Sequence, residues 1–313
     1  MSCEYHLAET IAGHNVVNSM RGILLFNEPM SQHTSWRVGG PADCLYKPAD
    51  LEDLVAFLAV LPPTEPLFWL GLGSNLLVRD GGIRGTVILT AGLLSKMDLV
   101  NDTELRVESG VFCAKVARFS AKKHLTGAEF LAGIPGTMGG ALAMNAGAFA
   151  GETWDRVTSV ETIDRHGRIH HRLPSDFKIS YRQVVMPAEE WFIAAQLQLS
   201  PGEAASSLAK IKGYLTVRNT SQPTQLASCG SVFRNPENDF AARLIEASGL
   251  KGLCVGGACV SEKHANFIIN IGQASADDIE QLIDKIKSTV KQQHGVQLQT
   301  EVHRVGEASK RLV

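Results

Sequence analysis

Residues 69–78 read Trp69-Leu70-Gly71-Leu72-Gly73-Ser74-Asn75-Leu76-Leu77-Val78, and the residues after Gly73 decide the kind of fold. Leu67–Leu70 reads as a strand that runs directly into two glycines. Glycines there let backbone N–H groups approach an anion without a Cβ in the way, and they permit the φ > 0 nests that gather such donors. Ser74 and Asn75 add side-chain donors. In the Rossmann pattern GxGxxG a third glycine precedes a helix, but Leu76 occupies that place and Arg79-Asp80-Gly81-Gly82 reads as another turn. No Gly-Lys-Ser/Thr occurs, which excludes a Walker loop. Taken alone, the loop reads more readily as a tight strand turn than as a phosphate site.

A second cluster changes that weighting. Gly133-Ile134-Pro135-Gly136-Thr137-Met138-Gly139-Gly140 is followed by small residues through Asn145 and Gly147. Pro135 fixes one turn, and the small residues suit a helix packed close to something flat or anionic. Two separated backbone cradles imply an extended ligand with more than one polar segment, and a dinucleotide fits.

Around these loops, helix and strand signals alternate. Leu51–Val60 is a short apolar-periodic helix with Ala49-Asp50 at its N-cap and Pro62-Pro63 as its stop. Strands are expected at Gly85–Leu89 and Leu105–Val111, with a helix at Cys113–Lys123. Val157–Ile163 and Arg168–Leu173 flank Asp164-Arg165-His166-Gly167, which is hairpin chemistry. A strand at Trp191–Leu199 ends in Ser200-Pro201-Gly202, which marks a domain boundary. Beyond it, helices are expected at Ala204–Val217, Phe240–Ser248 and Asp277–His294, and strands at Asn266–Asn270 and Leu298–Arg304. In the last helix, Ile279, Leu282, Ile283, Ile286 and Val290 form one core-facing stripe. The class is α+β.

The 313 residues leave room for two or three domains. With 30 basic against 32 acidic residues the net charge is −2, so there is no global field for nucleic acid or an anionic membrane. Six cysteines, at 3, 44, 113, 229, 254 and 259, form no CxxC pair and read as reduced thiols of a cytoplasmic protein. Met1–Ser19 carries Glu4 and Glu9 and lacks an uninterrupted apolar core, unlike a signal peptide. The uncharged stretch Leu131–Ala150 holds five glycines, Pro135 and only two leucines, too poor in apolar side chains for a membrane span. His170-His171 sits on a hairpin strand, and no HExxH or Cys/His grouping has metal-ligand spacing, so no metal site is expected.

GLGSNLLVRDGG (71–82), GIPGTMGGALAMNAGA (133–148), SYR (180–182), SCGSVFRNP (228–236), LIEASGLKG (244–252) and EVHRVG (301–306) resemble, in this order, the UDP-N-acetylenolpyruvoylglucosamine reductase (MurB) family. With Thr34-Ser35-Trp36-Arg37-Val38-Gly39-Gly40, which resembles the family's opening stretch, the matches reach from Thr34 to Gly306, and six motifs in register are far more specific than one. The resemblance implies a two-part FAD-binding region of the vanillyl-alcohol oxidase (PCMH) type followed by a C-terminal α+β substrate-binding domain. The implied limits are 1–33 for an N-terminal extension, 34–92 and 93–201 for two FAD-binding subdomains, 202–306 for the substrate domain and 307–313 for a tail.

The resemblance further implies bound FAD, NADPH as co-substrate, and reduction of UDP-N-acetylglucosamine enolpyruvate to UDP-N-acetylmuramate for peptidoglycan. By position, Gly71, Gly73, Ser74, Asn75 and Leu76 would face the FAD pyrophosphate. Gly133, Ile134, Pro135, Gly136, Gly139, Gly140, Asn145 and Gly147 would cover the remaining diphosphate and the isoalloxazine edge. Arg182, Ser231 and Glu301 match the catalytic set. Hydride arriving at C3 of the enolpyruvyl group pushes charge onto C2 and the carboxylate, which suits a permanently charged guanidinium fork. Glu301, protonated, would stabilise the enolic intermediate, and Ser231 would protonate C2 as general acid, helped by a neighbouring cation such as Arg182.

Arg218, Gln222, Asn235 and His264 match positions used on the substrate. Ser221 departs from the pattern, since many relatives carry lysine there: either another cation such as Arg218 or Arg234 faces the diphosphate, or nucleotide affinity is lower. The stretch between Arg182 and Ser200 has no tyrosine-bearing insertion, as in the shorter branch of the family. A monomer is favoured, with no nucleic acid or membrane partner. Two other readings stay open: a flavin oxidase of the same fold, and a non-catalytic nucleotide-binding protein.

Overall fold

A computed structural model of the chain describes residues 20–309; the signal-peptide reading of Met1–Ser19 lies outside them. Among the described residues two compact units divide the chain, the first made of 20–26, Cys44–Leu72 and Gly85–Thr216, the second of Asn27–Asp43, Gly73–Arg84 and 217–309.

In the first unit the Leu51–Val60 helix forms as its sequence predicts. The Asp50 carboxylate accepts the Asp53 N–H at 3.0 Å, capping one otherwise orphaned donor, and Leu54, Phe57 and Leu58 are buried on one face. They pack with Tyr46, Ile88, Ile163 and Ile193. Leu67–Leu70 pairs in parallel with Ile83–Leu89, Leu67 opposite Thr86 and Leu70 opposite Leu89. A five-stranded antiparallel sheet runs in the order Ile169–Arg172, Val157–Asp164, Glu190–Gln198, Glu104–Glu108, Met97–Leu99. The hairpin read from Asp164–Gly167 is its edge. Against this sheet the helices Cys113–Lys122 and Met138–Met144 bury Val116, Ala117, Met138 and Leu142 with Leu105, Trp154 and Phe192.

The second unit is built on the long Ala276–His294 helix. Ser275 caps it, accepting the Asp278 N–H at 3.0 Å, and Gly295 ends it in the left-handed region. Its stripe of Ile279, Leu282, Ile283, Ile286 and Val290 is fully buried, worth roughly 2 kcal/mol a side chain in area removed from water. A small sheet, ordered Ala227–Ser228, Ile268–Asn270, Ala258–Val260, Cys254–Val255, shares that core with the Ala241–Ala247 helix. His303–Val305 pairs in parallel with Leu76–Val78.

Two expectations are corrected. The strand expected over Leu298–Arg304 shrinks to His303–Val305. The N–H groups of Glu301 and Val302 both point at the Val232 carbonyl, at 2.8 and 3.5 Å, and a ladder cannot continue through two consecutive donors aimed at one acceptor. The reading of six reduced thiols fails at Cys254 and Cys259, which form a disulfide. A hairpin turning at Gly256-Gly257 puts them directly opposite each other, a pairing set by strand register and invisible to a search for CxxC. Cys44, Cys113 and Cys229 are buried. Among the described residues no helix is long and apolar enough to cross a membrane.

Candidate active site

In the first unit, Gly133–Gly140 is strapped to the segment Ser109–Cys113. Cys113 donates to the Gly136 carbonyl at 2.9 Å, Met138 to Val111 at 2.8 Å and Gly139 to Ser109 at 2.8 Å. Ile134 packs on the core behind the loop and its carbonyl accepts the Gly136 N–H at 3.0 Å, a tight turn set by Pro135 between them. The glycines allow the close approach: a Cβ on Gly139 would stand 2.9 Å from the Ser109 Cβ, and one on Gly71 would stand 2.6 Å from Thr137 Oγ1. Thr137 Oγ1 and Ser109 Oγ are buried and have no hydrogen-bond partner among the described residues. A Cβ on Gly140 would stand 3.8 Å from Thr137 Oγ1, in ordinary contact. Two orphaned hydroxyls beside a backbone cradle are groups that a polar ligand would satisfy.

Arg182 sits in the two-residue turn between Lys178–Ser180 and Gln183–Val185 with φ at +57°, a conformation that costs a non-glycine residue about 1–3 kcal/mol. Its Nη2 donates to the Gly147 carbonyl at 2.9 Å and its Nη1 to the Asn145 carbonyl at 3.3 Å. The guanidinium also stacks over the Tyr181 ring, 4.8 Å from its centroid. Asn145 ends the Met138–Met144 helix in the left-handed region. Its side chain is engaged within the protein, donating to Glu152 at 2.8 Å and accepting from the Trp154 N–H at 3.2 Å.

The second unit brings Ser74, Asn75, Ser231 and Glu301 onto adjoining segments. Asn75 donates through its side-chain amide to the Glu301 carbonyl at 3.0 Å, and its own carbonyl accepts the His303 N–H at 3.2 Å. Glu301 in turn donates its N–H to Val232, the residue after Ser231. Gly73 has φ +66°, and a Cβ there would strike the His33 carbonyl at 2.1 Å. The Gly73 carbonyl accepts the Ser35 N–H at 3.1 Å, and the Leu76 carbonyl accepts the Cys229 thiol at 3.4 Å. Ser231 follows Gly230, which turns at φ +72°. The two buried residues after it are fixed by Asn266, whose side chain accepts the Phe233 N–H at 3.0 Å and donates to the Phe233 carbonyl at 2.8 Å.

The four expected substrate residues also lie in the second unit. Arg218 donates to Gln222 Oε1 at 3.2 Å, and burial pushes its guanidinium pKa down with no carboxylate offsetting it. Lys263 donates to the Asn219 carbonyl at 2.5 Å, bringing an ammonium to the turn that carries Ser221. Asn235 Oδ1 accepts the Ala241 N–H at 3.1 Å at the start of the Ala241–Ala247 helix. His264 packs edge-on against Phe267, and burial lowers its pKa, which favours the neutral ring. Sequence reasoning passed over Thr137, Ser109, Glu152 and Lys263. None stands in a spacing pattern of its own; the nearest signal was that Thr137 lies within the glycine cluster.

Three comparisons bear on this arrangement. A family model described as "FAD binding domain" matches residues 42–172, and one described as "UDP-N-acetylenolpyruvoylglucosamine reductase, C-terminal domain" matches 222–305. The reductase of that name from Legionella pneumophila (strain Corby) is 58% identical over 294 residues, covering 94% of this chain and 96% of the relative. The one from Alkalilimnicola ehrlichii is 60% identical over 281 residues, covering 90% and 94%. The crystal structure of the reductase from Thermus caldophilus superposes with a TM-score of 0.78 at 33% identity, over 91% of this chain and 99% of that one. The FAD-binding architecture followed by a C-terminal α+β domain is thus common to this chain and these proteins.

Proposed function

The chain belongs to the UDP-N-acetylenolpyruvoylglucosamine reductase family, and from that premise we propose how its residues perform UDP-N-acetylmuramate dehydrogenase chemistry. The reaction saturates the enolpyruvyl double bond of UDP-N-acetylglucosamine enolpyruvate, with hydride added at C3 and a proton at C2. When bound, FAD supplies hydride transfer from NADPH to C3. The rest falls to the protein. Arg182 faces the charge that develops on the carboxylate and C2. Glu301, protonated, hydrogen-bonds the enolic oxygen, and Ser231 delivers the proton to C2.

The observation that carries this reading is the coupling of Ser231 to Glu301. The segment after Ser231 accepts the Glu301 N–H through Val232, and Asn75 of the first glycine loop holds the Glu301 carbonyl. A hydroxyl, a carboxyl and a dinucleotide loop tied together in one unit suit proton delivery beside a bound flavin.

The residues present fit FAD. Gly71, Gly73, Ser74, Asn75 and Leu76 would line one stretch of it, and the segment Gly133–Gly140 another, where the Thr137 and Ser109 hydroxyls lack partners among the described residues. Arg218, Gln222, Asn235 and His264 would hold the nucleotide end of the substrate, with Arg218 and Lys263 taking the place of the cation missing at Ser221. The segments 34–92 and 93–201 serve the cofactor and 202–306 the substrate, in a cytoplasmic enzyme.

Anaerobic visible spectroscopy tests the assignment. NADPH should bleach the flavin band of the purified protein, and UDP-N-acetylglucosamine enolpyruvate should restore it. A band that stays bleached until air enters would overturn the substrate and favour the oxidase. The cradle has its own test. Gly71→Ala should cost about 1–3 kcal/mol of stability through overpacking against Thr137 and reduce the flavin-to-protein absorbance ratio. Gly71→Ala/Thr137→Ala should recover the stability but not the flavin, provided the Thr137 hydroxyl is a cofactor donor; recovery of both would remove that role.

A further inference from the structure

Arg182 is held by a socket that the catalytic assignment does not explain. The Gly147 and Asn145 carbonyls grip its two Nη atoms, and a Cβ on Gly147 would stand 3.0 Å from Nη1 and 3.2 Å from the Glu152 Cγ. Glu152 lies on the other side of that opening, with Oε1 3.9 Å from Arg182 Nη1. Its other oxygen accepts the Asn145 amide at 2.8 Å. Asn145 donates as well to the Ser180 carbonyl at 3.3 Å, two residues before Arg182 on the hairpin. One carboxylate is thus connected both to the guanidinium and, through Asn145, to the strand that presents it.

We propose that Glu152 is a positioning residue which, with Asn145 and the Gly147 carbonyl, sets the direction in which Arg182 presents its guanidinium to the anionic end of the substrate. The geometry separates this role from a plain ion pair. At 3.9 Å the carboxylate is beyond hydrogen-bond reach, so it attracts the guanidinium without occupying one of its donors. Neutral carbonyls fix the fork's plane, while the charge opposite fixes which edge turns outward. The left-handed backbone at Arg182 is the strain that such fixing sustains. Misaiming a charged fork by about 1 Å costs as much as 100-fold in rate, so the effect belongs on the step in which the substrate gains charge.

This proposal rests on the reading of Arg182 as catalytic, and the experiment keeps the two apart. In the flavin-loaded enzyme, Glu152→Gln retains an acceptor for Asn145 and removes the charge. Flavin reduction by NADPH should be unchanged, while reoxidation by saturating UDP-N-acetylglucosamine enolpyruvate should slow about 10- to 100-fold, with Glu152→Asp recovering part of the loss. In an Arg182→Ala background the same Glu152→Gln change should have no further effect, because a residue acting through another is silent once that other is gone. Unchanged flavin absorption and thermal midpoint would certify folding. Should Arg182→Ala itself reoxidise at the parent rate, the catalytic reading of Arg182 falls and this proposal falls with it. A slow Arg182→Ala beside a Glu152→Gln of full speed would overturn the positioning role alone. Equal Glu152 effects in both backgrounds would assign Glu152 to the fold.

Discussion

Ser231→Ala is expected to accept electrons from NADPH at the parent rate and to pass them to the enolpyruvyl substrate about 10²- to 10⁴-fold more slowly, the range associated with loss of a general acid. The split follows from where the serine stands. It occupies a turn opened by Gly230, and the residues after it, Val232 and Phe233, are buried and bound to Asn266 from both main-chain directions. Removing one oxygen from such a turn leaves the backbone in place, so only what the hydroxyl itself does should be lost. The structure offers this hydroxyl no buried structural duty: its residue is half-exposed, on the segment joined to Glu301.

Stopped-flow absorbance of the two half-reactions, run separately without oxygen, makes the measurement. Loss of both in proportion would mean that the substitution damages cofactor binding, and the proton-donor role would fail. Loss of neither would transfer the role to Glu301. Asn266→Ala is the contrasting variant. It removes the support behind the turn, so it should lower stability and slow reoxidation together, where Ser231→Ala does only the second.

What could be read in advance from the chain divides along physical lines. Local periodicity was sufficient for Leu51–Val60, found with the limits expected, and for Ala276–His294, whose apolar stripe is wholly buried. Turn chemistry at Asp164–Gly167 was sufficient for the hairpin. The two glycine clusters read as cradles for an anion; at Gly71, Gly73 and Gly139 the close approach in the structure is to Thr137, the His33 carbonyl and Ser109. The failures all depend on which residues end up paired. The Cys254–Cys259 pair depends on hairpin register, and the shortened last strand depends on a carbonyl at Val232 that the local sequence cannot see. The Arg182 socket is assembled from residues 145, 147, 152 and 180, each ordinary in its own surroundings. Asn145 illustrates the difference. The resemblance sets it beside the cofactor; its amide is engaged with Glu152, Ser180 and Trp154, partners that no local pattern announces.

The support beneath the second glycine loop has the largest consequence for stability. Glu129 opens the short turn Glu129–Gly133 immediately before that loop, and its side chain is 4% exposed. It accepts Thr126 Oγ1 at 2.6 Å, the Gly127 N–H at 2.9 Å and Ser207 Oγ at 2.7 Å, with Lys210 Nζ 4.0 Å away. Burial alone would raise its pKa, but these donors outweigh burial and bring it down to about 2. A folded pKa below the unfolded value of about 4.3 means that the stabilisation is complete at neutral pH and is lost as pH falls through the interval from about 5 to 2, a contribution of about 3 kcal/mol.

Glu129→Gln tests the charge with little change of shape. One amide oxygen can serve a hydroxyl, but the amide nitrogen is then set against a donor, so the cost at pH 7 should be about 2–4 kcal/mol. That corresponds to a thermal midpoint lower by roughly 4–16 °C. The gap between parent and variant should narrow as pH falls from about 5 toward 2, because the unfolded parent takes up the proton that the folded carboxylate resists. A gap of equal size at pH 7 and pH 3 would show that the packing of the side chain, and not its ionisation, supports the turn. The functional effect should follow the same titration. The loop that begins at Gly133 is anchored through this carboxylate to Ser207 of the Ala204–Ser221 helix, so flavin retention should weaken with acid in the parent and be weakened already at neutral pH in Glu129→Gln.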